Sequence, residues 1–286
     1  MIIFNKEYWK LLIKFYWKIK PANGPEKWTI LDYIGIDFDI NAYLLEVKAY
    51  QDKFNIKTCY TTEYQNKTYE ALELNWAGAQ AKKKLLLSAG MHGNEISGVL
   101  AIPRILRDIS LDAEYYKDWE IKIITPVNPV GTVFQSRYNK DGIDINRDFK
   151  DYKTIEAKNM KEILFSFKPD MIVNFHEACH PKGLLILANH SSSKVKTHEL
   201  ARRLDEKIEL AERHYMRTRL EMKGLEREGW FLILLEKIFG STGLEQLADD
   251  QKVTSLTIES SWMEKNKEKR INSNYIAFKE IIDVFR

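Results

Sequence analysis

The stretch Lys84-Leu-Leu-Leu-Ser-Ala-Gly-Met-His-Gly-Asn-Glu95 constrains this chain more than any other. Leu85, Leu86 and Leu87 form a brief apolar run that ends in small residues, the pattern of a short buried strand. Gly90 and Gly93 then permit a tight turn, and the spacing of Ile96, Val99, Leu100, Ile102 and Leu106 predicts a helix after it. His92 and Glu95 fall inside that turn. An imidazole nitrogen and a carboxylate oxygen held together at a strand end can fill two corners of a zinc site. Catalysis would also require a third protein ligand, a base and a group that holds the substrate.

The remaining pattern supplies a frame for such a site. Ala42 to Phe54 repeats apolar residues at helical spacing, and Asn55–Glu63 and Thr68–Trp76 read as strands around Gln65-Asn66-Lys67. Further strands are expected at Glu120–Val127, at Asp170–Phe175 ending on His176, at Leu184–Ala188, and at Val253–Ile258 ending on Glu259. Helices are expected at Ile155–Phe167 behind Thr154, along Val195 to Ala211, at Glu228–Phe239 before Gly240, and at Asn274–Arg286. Strands alternating with helices indicate an α/β domain with a largely parallel or mixed central sheet. With 286 residues and no repeat or linker, residues 1–286 read as one large domain.

Composition removes several function classes. A net charge of +3 is too small to imply a nucleic-acid partner. Two cysteines, Cys59 and Cys179, make no disulfide framework, so a reducing cytoplasmic setting is expected. No apolar run approaches the roughly 18–20 residues that span a bilayer. Lys6, Lys10, Lys14 and Lys18 recur every four residues among Trp9, Leu12, Ile13, Tyr16 and Trp17, a basic stripe on a helix over residues 1–20. A helix packed on the domain is favoured over contact with a membrane surface.

In open α/β sheets, ligands gather at the carboxyl ends of strands. His92, Glu95, His176 and Glu259 all lie at or just past an expected strand end, on three different strands. His176 would complete a His-Glu-His zinc site with a fourth position left for water. The long segment from Asn128 to Phe149 carries Arg137 and Arg147. Guanidinium forks match a substrate carboxylate through two parallel N–H bonds, although composition alone favours solvated loop charges.

Several of these motifs resemble, in order, the zinc carboxypeptidases related to carboxypeptidase A: His92-Gly-Asn-Glu95, Asn128-Pro, Ser136-Arg137, Gly142-Ile-Asp-Ile-Asn146-Arg147-Asp148-Phe149, His176 and Thr257-Ile-Glu259. The succinylglutamate desuccinylase and aspartoacylase enzymes of the same superfamily have similar motifs. The resemblance implies a three-layer α/β/α sandwich with a mixed central sheet and one Zn2+ per chain. It assigns His92, Glu95 and His176 to the metal, Arg137 to the oxyanion, Asn146 and Arg147 to the substrate carboxylate, and Glu259 to the general base. The expected activity is hydrolysis of an amide bond next to a free carboxylate in a small peptide or peptide-like substrate. A deacylase of N-acyl amino acids is the alternative, and an inactive binding module a third reading. The chain departs from the digestive enzymes in having no tyrosine between Tyr215 and Glu259, and its segment Gly243–Asp250, where side-chain specificity would be set, is acidic.

A competing zinc signature is also present. His176-Glu177-Ala-Cys-His180 fits H-E-x-x-H, with Glu199 spaced as a third ligand. That motif works only on a helix, which brings both histidines to one face. Here it follows the strand-like Met171–Phe175, and Pro181 and Gly183 come directly after it. The sequence therefore favours Glu259 over Glu177 as the base, with Glu177 either behind the metal ligands or at the rim of the site.

Overall fold

Gln65 and Asn66 both have positive φ (51° and 59°), the backbone of a two-residue hairpin turn. They join β1 (Asn55–Tyr64) to β2 (Lys67–Ala77). The computed structural model describes residues 23–25, 27, 33–180, 182–212, 220–227 and 243–286. The helices expected at 1–20 and Glu228–Phe239 lie outside the described residues. Four further strands, β3 (Lys83–Ala89), β4 (Trp119–Thr125), β5 (Met171–Ala178) and β8 (Thr254–Ser261), form a parallel block in the order β4-β3-β5-β8. The hairpin adds antiparallel to β4. On the other side β6 (Leu184–Ala188) pairs antiparallel with β8, and β7 (Leu225–Arg227) parallel with β6. The result is one mixed, eight-stranded sheet.

Side-chain alternation divides the interior into two cores. Leu85, Leu87, Val173, Phe175, Leu256 and Ile258 face helices α1 (Ile40–Lys48), α2 (Ile96–Leu111), α5 (Lys194–Asp205) and α7 (Lys267–Phe285). Leu86 and Ile172 face the opposite way, against α4 (Ile155–Phe167) and α6 (Leu244–Asp250). This is the three-layer α/β/α arrangement expected from the sequence. Strands buried on both faces need continuous apolar runs rather than alternation, which explains the Leu85–Leu87 triplet. A short helix, α3 (Pro129–Phe134), follows β4.

Where boundaries differ from expectation, paired polar residues or turns account for it. β5 continues two residues past His176 because Glu177 is buried in an ion pair with Arg270. α7 begins at Lys267, seven residues early, behind an Asn266 cap that accepts from Lys269 N at 3.2 Å. Its first turns bury Arg270 and Asn274, polar residues that a hydrophobic pattern excludes. α1 stops at Lys48, where residues 49–53 turn into β1. α5 stops at Asp205, and Leu210 beyond it bridges to Leu184.

Candidate metal centre and active site

The register of the parallel block positions the site. Ala89 of β3 pairs with Phe175, and His176 of β5 pairs with Glu259 of β8. Because Leu256 and Ile258 face the α2/α7 core, Glu259 and Thr257 face the other side, alongside His176 and Asn174. Both site residues lie inside their strands, two positions before the end, rather than just past it. β4 lies on one side of β3 and β5 on the other, so the connections after β3 and β4 part here and leave the crevice typical of such sheets.

After β3, the chain turns through Gly90 (φ +76°), and Val127 N and Asn128 N donate to the carbonyls of Ala89 and Gly90. A Cβ on Gly93 would lie 1.9 Å from the backbone carbon of Gly131 in α3. Only glycine allows that backbone-on-backbone approach. Gly93→Ala should therefore displace the His92–Glu95 loop and strip most metal from a chain whose ligands are all intact. Elemental analysis beside circular dichroism checks this, and full metal content in the variant would count against it.

The loop brings His92 and Glu95 to His176. Nδ1 of His92 lies 2.9 Å from Glu95 Oε1, and Nδ1 of His176 lies 2.6 Å from Glu95 Oε2. The ligand atoms of the three residues fall within 4.8 Å of one another, and all three side chains are buried. Burial opposes ionisation of Glu95, but His92 and His176 hold its carboxyl well below the usual carboxylate range. Burial and Arg137 push His92 down; Glu95 and Asp144 outweigh them and raise it. Two imidazoles and one carboxylate, converging by the same ring atom, form a donor set that zinc takes in catalytic sites. The set fits the metal.

Asp144 supports this set and had no role in the sequence reading. Its Oδ1 lies 3.0 Å from His92 Nε2, and its Oδ2 accepts from Arg137 Nε at 2.8 Å. Arg137 and His92 hold Asp144 well below the carboxylate range against the effect of burial. A carboxylate on the far nitrogen of a ligating histidine fixes its tautomer and orientation. That rule was the available signal for an aspartate so close to the Asn146-Arg147 pair. Asn174 lies at the far nitrogen of His176, with Nδ2 2.6 Å from Nε2, but its amide nitrogen is a donor and so does not repeat the accepting role of Asp144.

Arg137 reaches the same cluster, with Nη1 3.4 Å from His92 Nδ1 and 3.6 Å from Glu95 Oε1. It is thus a buried site residue rather than a solvated loop charge. Its loop is built by Asn139, whose Oδ1 accepts from Asp141 N and Ile143 N and whose Nδ2 donates to Glu156. A 3-10 turn, Ile145–Arg147, follows Asp144 and carries Asn146 and Arg147. Asn146 Oδ1 accepts from Leu244 N at 3.1 Å, and Arg147 Nη1 donates to the Asn146 carbonyl. Asp148 in the same block serves the fold, accepting from Lys153 N, Thr154 N and Thr154 Oγ1.

Glu259 is half-buried beside His176. Burial pushes its carboxyl up to about 8; His176 opposes the shift, and Glu95, Glu226 and Glu245 add to it. Glu245 is another group without a role in the sequence reading: Oε1 accepts from Thr257 Oγ1 at 2.6 Å and from Asn174 Nδ2 at 3.3 Å. The acidic segment noted at Gly243–Asp250 is therefore α6, seated against the site.

The H-E-x-x-H alternative does not assemble. His176 and Glu177 lie on a strand, facing opposite sides. Glu177 is not at the rim: its carboxylate is wholly buried and committed to Arg270, at 2.7 and 2.8 Å. His180 Nε2 donates to the Gly183 carbonyl at 2.9 Å, and burial pushes the ring down to about 4. Glu199 is exposed and paired with Arg202.

Residues 81–218 match the model of the succinylglutamate desuccinylase/aspartoacylase catalytic domain. Carboxypeptidase 2 of Trichophyton tonsurans is 27% identical over 140 residues, 44% of this chain and 26% of that protein. The chain thus spans about a quarter of the length of the curated relatives it matches. Among solved structures, a candidate metallopeptidase from Shewanella denitrificans OS217 superposes with a TM-score of 0.68 at 17% identity, covering 89% of this chain and 97% of that one. A Pseudomonas aeruginosa metallo-carboxypeptidase in complex with (2-guanidinoethylmercapto)succinic acid gives 0.63 at 14% identity, covering 87% and 70%. The resemblance to the zinc carboxypeptidase-like superfamily read from the sequence is borne out, as is the fold it implies. Among the described residues, no helix is long and apolar enough to cross a membrane.

Proposed function

We propose that this chain is a zinc-dependent metallocarboxypeptidase that cleaves an amide bond next to a free carboxylate in a small peptide or peptide-like substrate. The observation that carries the reading is the convergence of His92, Glu95 and His176 beside Glu259, which is paired in register with His176. His92 Nδ1, His176 Nδ1 and the Glu95 carboxylate would hold the ion, with Asp144 orienting the His92 ring. Bound zinc supplies Lewis acidity, which brings the pKa of a water from 15.7 toward about 7. Glu259 would take a proton from the attacking water as its oxygen bonds to the carbonyl carbon, and would return that proton to the amine as the C–N bond breaks. Arg137, held by Asp144, faces the charge that develops on the carbonyl oxygen. Asn146 and Arg147 receive the substrate carboxylate.

The match over residues 81–218 favours a second reading, deacylation of an N-acyl amino acid. Both readings need a carboxylate clamp, so products decide between them. The purified chain should hold close to one zinc and lose activity on chelation. It should cleave peptides with a free C-terminus and leave C-terminally amidated ones; turnover of N-acyl amino acids alone selects the deacylase. A zinc-loaded chain inert toward both classes overturns the proposal.

The clamp has its own test. Arg147→Ala should weaken kcat/KM for a free-acid substrate by roughly 1.5–3 kcal/mol, as expected for a lost hydrogen bond to a charged group. An amidated analogue should change much less. Equal losses for acid and amide would remove Arg147 from this role.

A further inference from the structure

Glu177 was singled out by the sequence and then left without a role by the geometry of the site. It is a fully buried charged group with several partners. Arg270 of α7 pairs with both its oxygens, and the two side chains are 1% and 0% exposed. Ser260 of β8 donates to Oε1 at 3.0 Å. Its other bonds lead to the metal ligands. The backbone N–H of Glu177 donates to Glu95 Oε2 at 3.0 Å, the same oxygen that meets His176 Nδ1. Glu177 Oε2 accepts from the backbone N–H of Ser97, in the first turn of α2, at 3.4 Å.

The last contact answers a problem that the site creates. Glu95 is the N-cap residue of α2, yet its side chain makes no capping hydrogen bond because it faces the two imidazoles. The first N–H groups of a helix need acceptors, and a negative charge there also complements the helix dipole. Glu177 supplies both from a neighbouring strand. Arg270 anchors it and also donates to the Ile34 carbonyl at 2.7 Å, next to Tyr33, whose hydroxyl donates to the Asn94 carbonyl at 2.6 Å. One ion pair thus ties β5, β8, α2, α7 and the chain at residues 33–34 to the His92–Glu95 loop.

We propose that Glu177 and Arg270 are positioning residues for the metal centre: Glu177 caps α2 in place of Glu95, so that the Glu95 carboxylate stays turned toward His92 and His176. The proposal rests on the metal reading above, and the test separates the two. Zinc affinity is measured on the full chain by competition with a chelator, together with the absorption spectrum of the cobalt-loaded form and hydrogen exchange at the Ser97 amide in metal-free protein. Glu177→Gln and Arg270→Met should each weaken zinc by 10- to 100-fold, the usual range for a lost outer partner, alter the cobalt spectrum and speed exchange at Ser97. Arg270→Lys should recover part of each change.

A single variant leaves a buried charge unpaired and can fail to fold. The double variant Glu177→Leu/Arg270→Met removes both charges together and still lacks the cap, so it should fold and show the same losses. Ser260→Ala keeps the ion pair and should move the readouts in the same direction by less. Ile281→Ala loosens α7 away from the pair and should lower the melting temperature with zinc affinity unchanged. A folded double variant with wild-type zinc affinity and wild-type Ser97 exchange overturns the proposal. If the unaltered chain takes up no zinc, the metal reading falls, and exchange at Ser97 alone decides the positioning role.

Discussion

Glu259→Gln should keep the zinc content and the fold of the chain while its turnover falls by about 10²–10⁴-fold, the typical contribution of a general base. The proposed site gives Glu259 no metal to bind, so loss of activity without loss of zinc is the signature. An active, zinc-loaded Glu259→Gln would end its assignment as the base. A second readout comes from the metal-free protein. The folded-state pKa of Glu259 is raised to about 8 from the ordinary glutamate value of 4.5, so the folded chain binds the proton more tightly than the unfolded chain. Its contribution to stability is complete below about 4.5 and is lost as the pH rises through about 8. The loss is at most roughly 5 kcal/mol at one pKa unit per 1.36 kcal/mol. Glutamine carries no such charge. Metal-free Glu259→Gln should therefore melt above metal-free wild type at pH 8 and close to it at pH 5.

His92→Ala and His176→Ala should each remove most of the zinc, while His180→Ala should retain it. Each of the first two deletes one of the three atoms that converge on the candidate centre. His180 donates to the Gly183 carbonyl and faces no other candidate ligand, so its loss is felt as a buried hydrogen bond, worth about 0.5–1.5 kcal/mol of stability. Elemental analysis of the three purified variants reads the outcome directly. Loss of zinc from His180→Ala equal to that from His92→Ala would show that the ligands had been misassigned.

Legibility followed the kind of signal each residue gives. The strand under His92 was plain because Leu85, Leu86 and Leu87 are buried on both faces. The register His176↔Glu259 was not, since pairing across β5 and β8 depends on helices and loops that no local pattern measures. Residues that bind a partner within the chain were the ones missed. Asp144 takes its role from a histidine 52 residues away and Glu245 from a threonine 12 residues away, while Asn174 meets His176 two residues on, along the same strand. Glu177 was visible only through its H-E-x-x-H context, and its burial against Arg270, a residue no local pattern singled out, belongs to the three-dimensional structure. The N-terminal turns of α7 and the last residues of β5 were under-read on that account. The Arg137 and Arg147 loop lay between these cases, because its motif was visible while the side-chain contacts that bury Arg137 were not.

The bond from Leu244 N to Asn146 Oδ1 divides the pocket into two mechanical parts. Metal ligands and base come from strands locked in register and from the loop they support. The wall beside Asn146 comes instead from α6, which joins the sheet through Glu245 on Thr257 and Asn174. A substitution along α6 that shifts this short helix re-aims the Asn146 amide and moves the Glu245 charge together, without touching an atom of the metal centre. With Asn146 as the proposed contact for the substrate carboxylate, substrate preference would be adjustable from α6 without a change among the proposed metal ligands.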